Sequence, residues 1–256
     1  MENEQISVFD VLIRTHEGLE RQGPGSPEMI IKALSFLENP DKILCAADFG
    51  CGTGGQTMTL ARHIPGSITG LDQCSDFINI LNDNAKKFNL QEKVNGIVGS
   101  MESPPFLKEE FDLIWSEGAI DSIGFEEGIT CWNSFLKKDA YLVVTCPSWL
   151  TEKRPAEIEK FWTDAGSKLD TIGDNILILQ KSGYRFVASF VLPEKCWTDN
   201  YFVPREAAEK EFLEKHSENE TVKAYIESSK YEVELYSKYS QYYGYVFYIG
   251  KKEGSI

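Results

Sequence analysis

A run of glycines in the first quarter of the chain is the sequence feature best suited to hold a ligand. It spans residues 47–55, ADFGCGTGG, and it follows an apolar stretch and precedes a helical pattern. Glycines permit backbone conformations that other residues avoid, and they let a ligand approach the main chain. Gly50, Gly52 and Gly55 also satisfy the GxGxxG fingerprint, in which a helix N-terminus holds a pyrophosphate. The alternative is a tight strand-to-helix turn with no ligand.

An acid follows the glycine loop at the spacing expected for a ribose-binding residue. Asp72 comes 22 positions after Gly50 and closes the apolar run Ile68–Leu71. A carboxylate at a strand end can accept hydrogen bonds from both hydroxyls of a ribose. The alternative is an acid at the N-terminus of the helix that Ser75 begins. The loop and Asp72 together fit NAD and S-adenosylmethionine equally well.

Asp48 favours the second of these ligands. It lies two residues before the first glycine, where the dinucleotide fingerprint typically has a small or apolar residue. A carboxylate beside the loop suits a cosubstrate that carries a sulfonium and an ammonium group better than it suits a pyrophosphate.

Later motifs carry a resemblance to a known family. The segments are the glycine loop with Asp48, the acid Asp72, the loop Met101–Phe106 and the run FDLIWSEG at 111–118. In this order they resemble the motifs of class I S-adenosylmethionine-dependent methyltransferases, and most of all the ubiquinone/menaquinone-biosynthesis-like (type 11) group. The resemblance covers about residues 41–148. It implies a seven-stranded, mostly parallel Rossmann-like sheet whose last strand is antiparallel.

The resemblance also implies a set of cosubstrate-binding residues. Ser100 is a departure, because family members usually have an aspartate there that binds the adenine amino group, and a serine can accept that hydrogen bond only without charge. In chain order, the predicted cosubstrate-binding residues are Asp48, Gly50, Cys51, Gly52, Asp72, Gln73, Ser100, Met101 and Glu117. Among them, Gly50 to Gly52 would line the methionine and ribose portion, Ser100 and Met101 would flank adenine, and Glu117 would lie near the methionine end.

Some other residues could belong either to the binding site or to the core. Phe77 could stack on adenine and Trp115 could form the floor of the pocket, but both residues fit a core position equally well. An acceptor that must lose a proton needs a base, and the candidates are His16, Glu17, Glu117 and Asp121. The sequence singles out none of them, and it predicts no metal site.

Alternating apolar runs and amphipathic stretches predict the elements that position these residues. Such alternation indicates a parallel sheet covered by helices on both faces. The predicted strands are Ile43–Phe49, Ser67–Leu71, Val94–Val98, Phe111–Trp115, Tyr141–Thr145, Arg185–Leu192 and Tyr245–Ile249. The predicted helices cover about 5–20, the stretch after Ser26, Gln56–His63, Ser75–Phe88, Glu126–Lys137, 151–182 and 204–242.

These elements predict one domain with two additions. Residues 1–40 would form a helical lid, 41–192 with 244–256 the core, and 193–243 a helical cap over the acceptor. An apolar stripe in the cap indicates a helix packed on its own domain, with a homodimer through 204–243 as the alternative. The aromatic residues expected around the acceptor are Trp149, Trp197, Tyr201, Phe202, Tyr242 and Tyr243.

The amino-acid composition limits the classes of partner that we expect the protein to bind. The formal net charge of -14 disfavours nucleic acid and membrane surfaces, which are both anionic. The six cysteines are scattered, which indicates reduced thiols, and the sequence contains neither a signal peptide nor an apolar run of spanning length. We therefore predict a cytoplasmic enzyme that binds S-adenosylmethionine as cosubstrate and methylates a small molecule. A nicotinamide-dependent oxidoreductase and a non-catalytic nucleoside-binding protein are the alternatives.

Overall fold

The apolar runs form the strands of a central sheet in the computed structural model, which describes residues 6–254. The four strands in the middle of the sheet are buried over most of their length, as strands covered on both faces should be. The strands are β1 (Cys45–Phe49), β2 (Ser67–Asp72), β3 (Val94–Val98), β4 (Phe111–Ser116), β5 (Leu136–Trp149), β6 (Tyr184–Val191) and β7 (Tyr243–Lys252).

The strand order is β3-β2-β1-β4-β5-β7-β6. The pairs β1 with β2, β1 with β4, β2 with β3, and β4 with β5 are parallel, whereas β7 runs antiparallel to both β5 and β6. This arrangement confirms the predicted Rossmann-like fold, including the antiparallel last strand. It also brings the carboxyl ends of β1, β2 and β4 to one edge, where such sheets bind ligands.

Helices cover both faces of the sheet. They are α1 (Val8–His16), α2 (Pro27–Leu34), α3 (Gly55–His63), α4 (Ser75–Lys87), α5 (Phe125–Asn133), α6 (Ala156–Asp164), α7 (Ile172–Lys181), α8 (Val203–Lys215) and α9 (Glu220–Tyr239). Ser26 caps α2 through a hydrogen bond from the Met29 N–H, and Pro27 occupies the first turn, as expected.

Some predicted boundaries were wrong, for local reasons. The helix expected over Glu126–Lys137 ends at Asn133, and Lys137 already belongs to β5. The stretch 151–182 forms two helices rather than one, because Gly166 adopts φ +77° after α6. The predicted helix over about 5–20 corresponds to α1, and its first residue lies outside the described ones.

The segment between β6 and β7 contains short helical turns followed by α8 and α9. The apolar stripe of α9 is covered by the same chain: Val222 and Ile226 are buried in a cluster with Val11 of α1 and Phe212 of α8. The segment therefore packs on its own chain, as the stripe predicted. Within residues 6–254, no helix combines the length and the apolar character that crossing a bilayer requires.

Candidate active site

A cavity of about 320 Å³ opens at the carboxyl edge of the parallel strands. Its walls come from the glycine loop, the end of β2, the loop after β3 and the loop after β4, and its roof comes from the chain that follows α1. The lining residues are Arg21, Gln22, Gly23, Pro24, Gly50, Gly52, Gln56, Leu71, Asp72, Gln73, Phe77, Gly99, Ser100, Met101, Glu102, Glu117, Gly118, Ala119, Ser122 and Ile123. The cavity thus brings together seven of the nine predicted cosubstrate residues.

The glycine loop turns sharply between β1 and α3. Gly50, Gly52 and Gly54 all have positive φ, which explains glycine at these positions. A Cβ atom at Gly52 would collide with the Gln22 side chain, and one at Gly55 would collide with the Glu20 carbonyl oxygen. The glycines therefore also make room for residues 17–26, which we call the N-terminal segment.

The N-terminal segment is tied to the loop by hydrogen bonds. The Thr53 N–H donates to Gln22 Oε1 over 3.0 Å, and Gln22 Nε2 donates to Thr53 Oγ1 over 2.8 Å. A single glutamine side chain thus fixes the roof of the cavity to its glycine wall. A ligand must enter beside this contact or displace it.

Asp72 lies at the end of β2, on the cavity wall, as predicted. The Gly52 N–H donates to its Oδ2 over 3.0 Å, and the Cys74 N–H donates to its Oδ1 over 2.9 Å. Each carboxylate oxygen has a second lone pair free for a ligand hydroxyl. Burial raises the pKa of Asp72, while hydrogen bonds from the backbone N–H groups of Cys74, Gly52 and Gln73 oppose the rise.

Asp48 and Cys51 lie behind the wall rather than on it. Asp48 is fully buried and accepts a hydrogen bond from Thr57 Oγ1 over 2.6 Å, so its side chain braces α3 against β1. Burial raises the pKa of Asp48 to about 7. The Cys51 side chain is buried in the core, and burial raises the pKa of its thiol as well.

Glu117 meets a cation that the sequence analysis missed. Its carboxylate forms a buried ion pair with Arg21 Nη2 and accepts a hydrogen bond from Trp115 Nε1 over 2.8 Å. Arg21 also keeps Nε buried, with no hydrogen-bond partner among the described residues. No sequence signal marks Arg21, because it precedes the glycine loop and lies 96 positions from Glu117.

The residues assigned to adenine also line the cavity. Ser100, Met101 and Gln73 line it together with Phe77, whose ring is otherwise buried against Ile13 and Cys74. The position of Met101 is fixed, since Trp132 Nε1 donates to its carbonyl oxygen over 2.8 Å. Trp115, in contrast, is fully buried and does not reach the cavity wall.

The candidate bases differ in their surroundings. His16 is buried, and its ring nitrogens lie 2.9 Å from the Leu12 carbonyl oxygen and 3.3 Å from the Tyr201 hydroxyl. Burial lowers its pKa to about 4, so His16 is neutral at physiological pH. Glu17 is exposed, and Glu117 is paired with Arg21. Asp121 follows Glu117 on the same loop, in the short helical turn Ile120–Ser122.

The aromatic residues expected around the acceptor pack into the core instead of lining the cavity. Trp197 stacks on Tyr236 at 4.5 Å between ring centroids, and it also contacts Phe202 and Tyr243. These rings join the cap to the sheet, since Tyr243 begins β7.

Comparison with known proteins agrees with this fold. The family described as "Methyltransferase domain" matches residues 46–139, which include the glycine loop and Glu117. An ajmaline N-methyltransferase from Rauvolfia serpentina is 27% identical over 137 residues, which are 48% of this chain. The match spans about half of that relative, 47% of its length.

Two solved structures are similar over nearly the whole chain. One is an S-adenosylmethionine-dependent methyltransferase from Geobacter sulfurreducens, in complex with S-adenosylhomocysteine. Its TM-score is 0.81 at 18% sequence identity, and the match covers 95% of this chain and 98% of the other. The second, from Thiobacillus denitrificans with the same ligand, has a TM-score of 0.81 at 20% identity and covers 96% and 98%.

The fold and the matched segment together define the class of protein. The chain has the Rossmann-like fold of these S-adenosylmethionine-dependent methyltransferase structures, and residues 46–139 match the family described as "Methyltransferase domain". These matches support the class that the motifs predicted, whereas the type 11 subgroup stays a prediction.

Proposed function

We propose that this protein transfers a methyl group from S-adenosylmethionine to a small-molecule acceptor. The observation that carries the proposal is the cavity, whose lining includes both Asp72 and the Arg21–Glu117 pair. A carboxylate with free lone pairs suits the two ribose hydroxyls, and an opposed pair of charges suits the amino-acid end of the same molecule.

The residues of the cavity lining support a single orientation of the cosubstrate. Asp72 and Gln73 would hold the ribose, with Ser100, Met101 and Phe77 beside adenine. Arg21 has a buried Nε without a partner among residues 6–254, so a carboxylate would satisfy a donor that this part of the chain leaves unsatisfied. Asp48 and Cys51 would then act from behind the wall, by shaping the loop rather than by contact.

The reaction requires little acid–base catalysis from the protein. A sulfonium methyl group is already activated, and the transfer needs the nucleophile, the carbon and the sulfur in line. The residues around the cavity would supply alignment and exclusion of water, effects that together are worth up to about 7–11 kcal/mol. The roof formed by Arg21 to Pro24 is placed to exclude water.

The additions to the core have proposed roles too. Residues 1–40 would act as the lid and 193–243 as the cap of the acceptor side. The net charge of -14 supports a small molecule rather than a nucleic acid as the acceptor, and reduced cysteines support a cytoplasmic location. A homodimer through 204–243 has less support, because the apolar stripe of α9 is already covered.

A label-transfer experiment tests the activity. The purified protein would be incubated with S-adenosylmethionine carrying a tritiated methyl group and with a small-molecule extract, and label in the acceptor fraction would be counted. We expect transfer that is matched by S-adenosylhomocysteine release and lost in Asp72→Ala, whereas Asp139→Asn, an exposed acid far from the cavity, keeps it. Binding of S-adenosylhomocysteine without any transfer would instead favour a non-catalytic nucleoside-binding protein.

A further inference from the structure

The loop after β3 differs at one residue assigned to adenine from the motif that it resembles. Members of that family usually have an aspartate at this position, whereas this chain has Ser100. Adenine presents its exocyclic amino group as a hydrogen-bond donor, and a carboxylate accepts from such a donor more strongly than a neutral hydroxyl does. The chain therefore lacks a charged acceptor at the usual position.

The Ser100 hydroxyl is already engaged within its own loop. The Glu102 N–H donates to Ser100 Oγ over 3.2 Å, in the short turn that a serine often forms with the residue two positions later. Ser100, Met101 and Glu102 all line the cavity, as Phe77 does. Glu102 therefore lies beside the residues assigned to adenine.

Two backbone carbonyl groups of the same turn are engaged as well. Trp132 Nε1 donates to the Met101 carbonyl oxygen over 2.8 Å, and the Cys131 thiol donates to the Glu102 carbonyl oxygen over 3.6 Å. Both donors belong to α5, so these carbonyl groups face that helix. The Glu102 side chain takes no part in these contacts.

The Glu102 carboxylate has neither a hydrogen-bond donor nor a cation as partner within residues 6–254. Glu102 is also exposed, so that a ligand in the cavity can reach it. The other two acids of the cavity lining, Asp72 and Glu117, both accept hydrogen bonds from the protein. Glu102 is therefore the lining acid whose carboxylate stays available to a ligand.

We propose that Glu102 accepts a hydrogen bond from the adenine amino group of the cosubstrate, in place of the aspartate that this chain lacks. The inference rests on the proposed function, since it assigns a residue that selects the cosubstrate of the same reaction. Adenine offers the carboxylate an N–H donor, whereas a 6-oxopurine offers an oxygen that the carboxylate repels. Glu102 thus makes the site specific for adenine.

Two nucleosides that differ at position 6 of the purine test the proposal, namely S-adenosylhomocysteine and its 6-oxo analogue, S-inosylhomocysteine. We expect the wild-type protein to bind S-adenosylhomocysteine at least tenfold more tightly, as measured by calorimetry. The variant Glu102→Gln keeps the shape, loses the charge and gains an N–H donor that suits the 6-oxo group. Its preference for S-adenosylhomocysteine should therefore be at least tenfold smaller, and circular dichroism checks that it folds.

Glu109→Gln is the matched control, since it removes an exposed carboxylate from the same loop but outside the cavity lining, and it should keep the preference. If the wild-type protein binds both nucleosides equally well, or if the preference survives in folded Glu102→Gln, the proposal is overturned while the proposed function stands. Failure of the wild-type protein to bind either nucleoside would overturn the proposed function itself, and this inference with it.

Discussion

Asp72 has two tasks at the residue scale, and they explain why its position could be predicted. Its carboxylate receives the N–H groups of Gly52 and Cys74, so it shapes the glycine loop and at the same time faces the cavity. The strand end, the spacing to Gly50 and the residue type together identified it in the sequence. Glu117, which directly follows β4, was identified instead from the resemblance to the methyltransferase motifs.

Replacing Asp72 with alanine should weaken cosubstrate binding. The change removes hydrogen bonds to a charged acceptor, each worth roughly 1.5–3 kcal/mol, so the Kd for S-adenosylhomocysteine should rise at least tenfold. Calorimetry gives the Kd, and circular dichroism checks that the variant folds. Asp76→Ala, an exposed acid four positions on, should bind as the wild type does. An unchanged Kd in folded Asp72→Ala would show that the ribose lies elsewhere.

Asp48 shows where residue-scale prediction failed. The sequence places it next to the glycine loop, but the alternation of β1 turns its side chain away from the cavity and toward Thr57 of α3. The residue type and the spacing were right for a contact, and only the direction of the side chain was not available from them.

The buried acid should leave a signature in the pH dependence of stability. The pKa of Asp48 is about 7 in the folded chain, well above its ordinary value of 3.8. The unfolded chain therefore binds fewer protons between these values, and the free energy of unfolding contributed by Asp48 falls as pH rises through them. Asparagine does not titrate, so Asp48→Asn should gain stability relative to wild type over this range.

Thermal unfolding at pH 5 and pH 8 measures this effect. The Tm of Asp48→Asn minus that of wild type should be more positive at pH 8 than at pH 5. Taking the difference cancels the contribution of His16, whose lowered pKa acts in the opposite direction. Asp76→Asn should show no such trend. A difference that stays constant or shrinks with pH would mean that Asp48 is ionised in the folded protein.

The N-terminal segment is the element whose role the sequence revealed least. Its hydrogen bonds to Thr53 and the Arg21–Glu117 pair form only after the chain folds, across separations of 31 and 96 positions. Local patterns such as capping residues and turns could predict α2, but they carry no information on which distant loop a turn will cover. For this reason the sequence did not predict Arg21, the residue that pairs with Glu117.

The segment 193–243 depends on aromatic packing, and truncation of the Trp197 ring should be costly in stability. Trp197 is buried against Tyr236, Tyr243 and Tyr245. Large-to-small changes of this kind cost about 3–5 kcal/mol, so Trp197→Ala should lose that much free energy of unfolding in a urea titration. Tyr231→Ala, at a half-exposed position on α9, should lose far less.

Sedimentation of the same two variants distinguishes a cap from a dimer arm. If 193–243 is a cap, Trp197→Ala destabilises the chain without changing its sedimentation. A fall in dimer fraction with no change in stability would instead assign the segment to contacts between copies. The burial of Trp197 within one chain leads us to expect the first result.

At the scale of the whole molecule, the sequence predicted the fold well. Short apolar runs separated by amphipathic helices leave few arrangements other than a covered parallel sheet, and all seven strands lie where the runs were. The ends of elements were less certain, because β5 extends on both sides of its apolar centre. The shape of the acceptor side could not be predicted, since it depends on how the lid and the cap pack together.

One binding measurement tests the central claim most directly. The pure protein would be titrated by calorimetry with S-adenosylmethionine, S-adenosylhomocysteine, NAD and NADP under the same conditions. We predict saturable, one-to-one binding of both sulfur nucleosides, weakened at least tenfold in Asp72→Ala, and no binding of either nicotinamide dinucleotide. Binding of NAD or NADP, with none of the sulfur nucleosides, would contradict the account and make the cavity the site of an oxidoreductase.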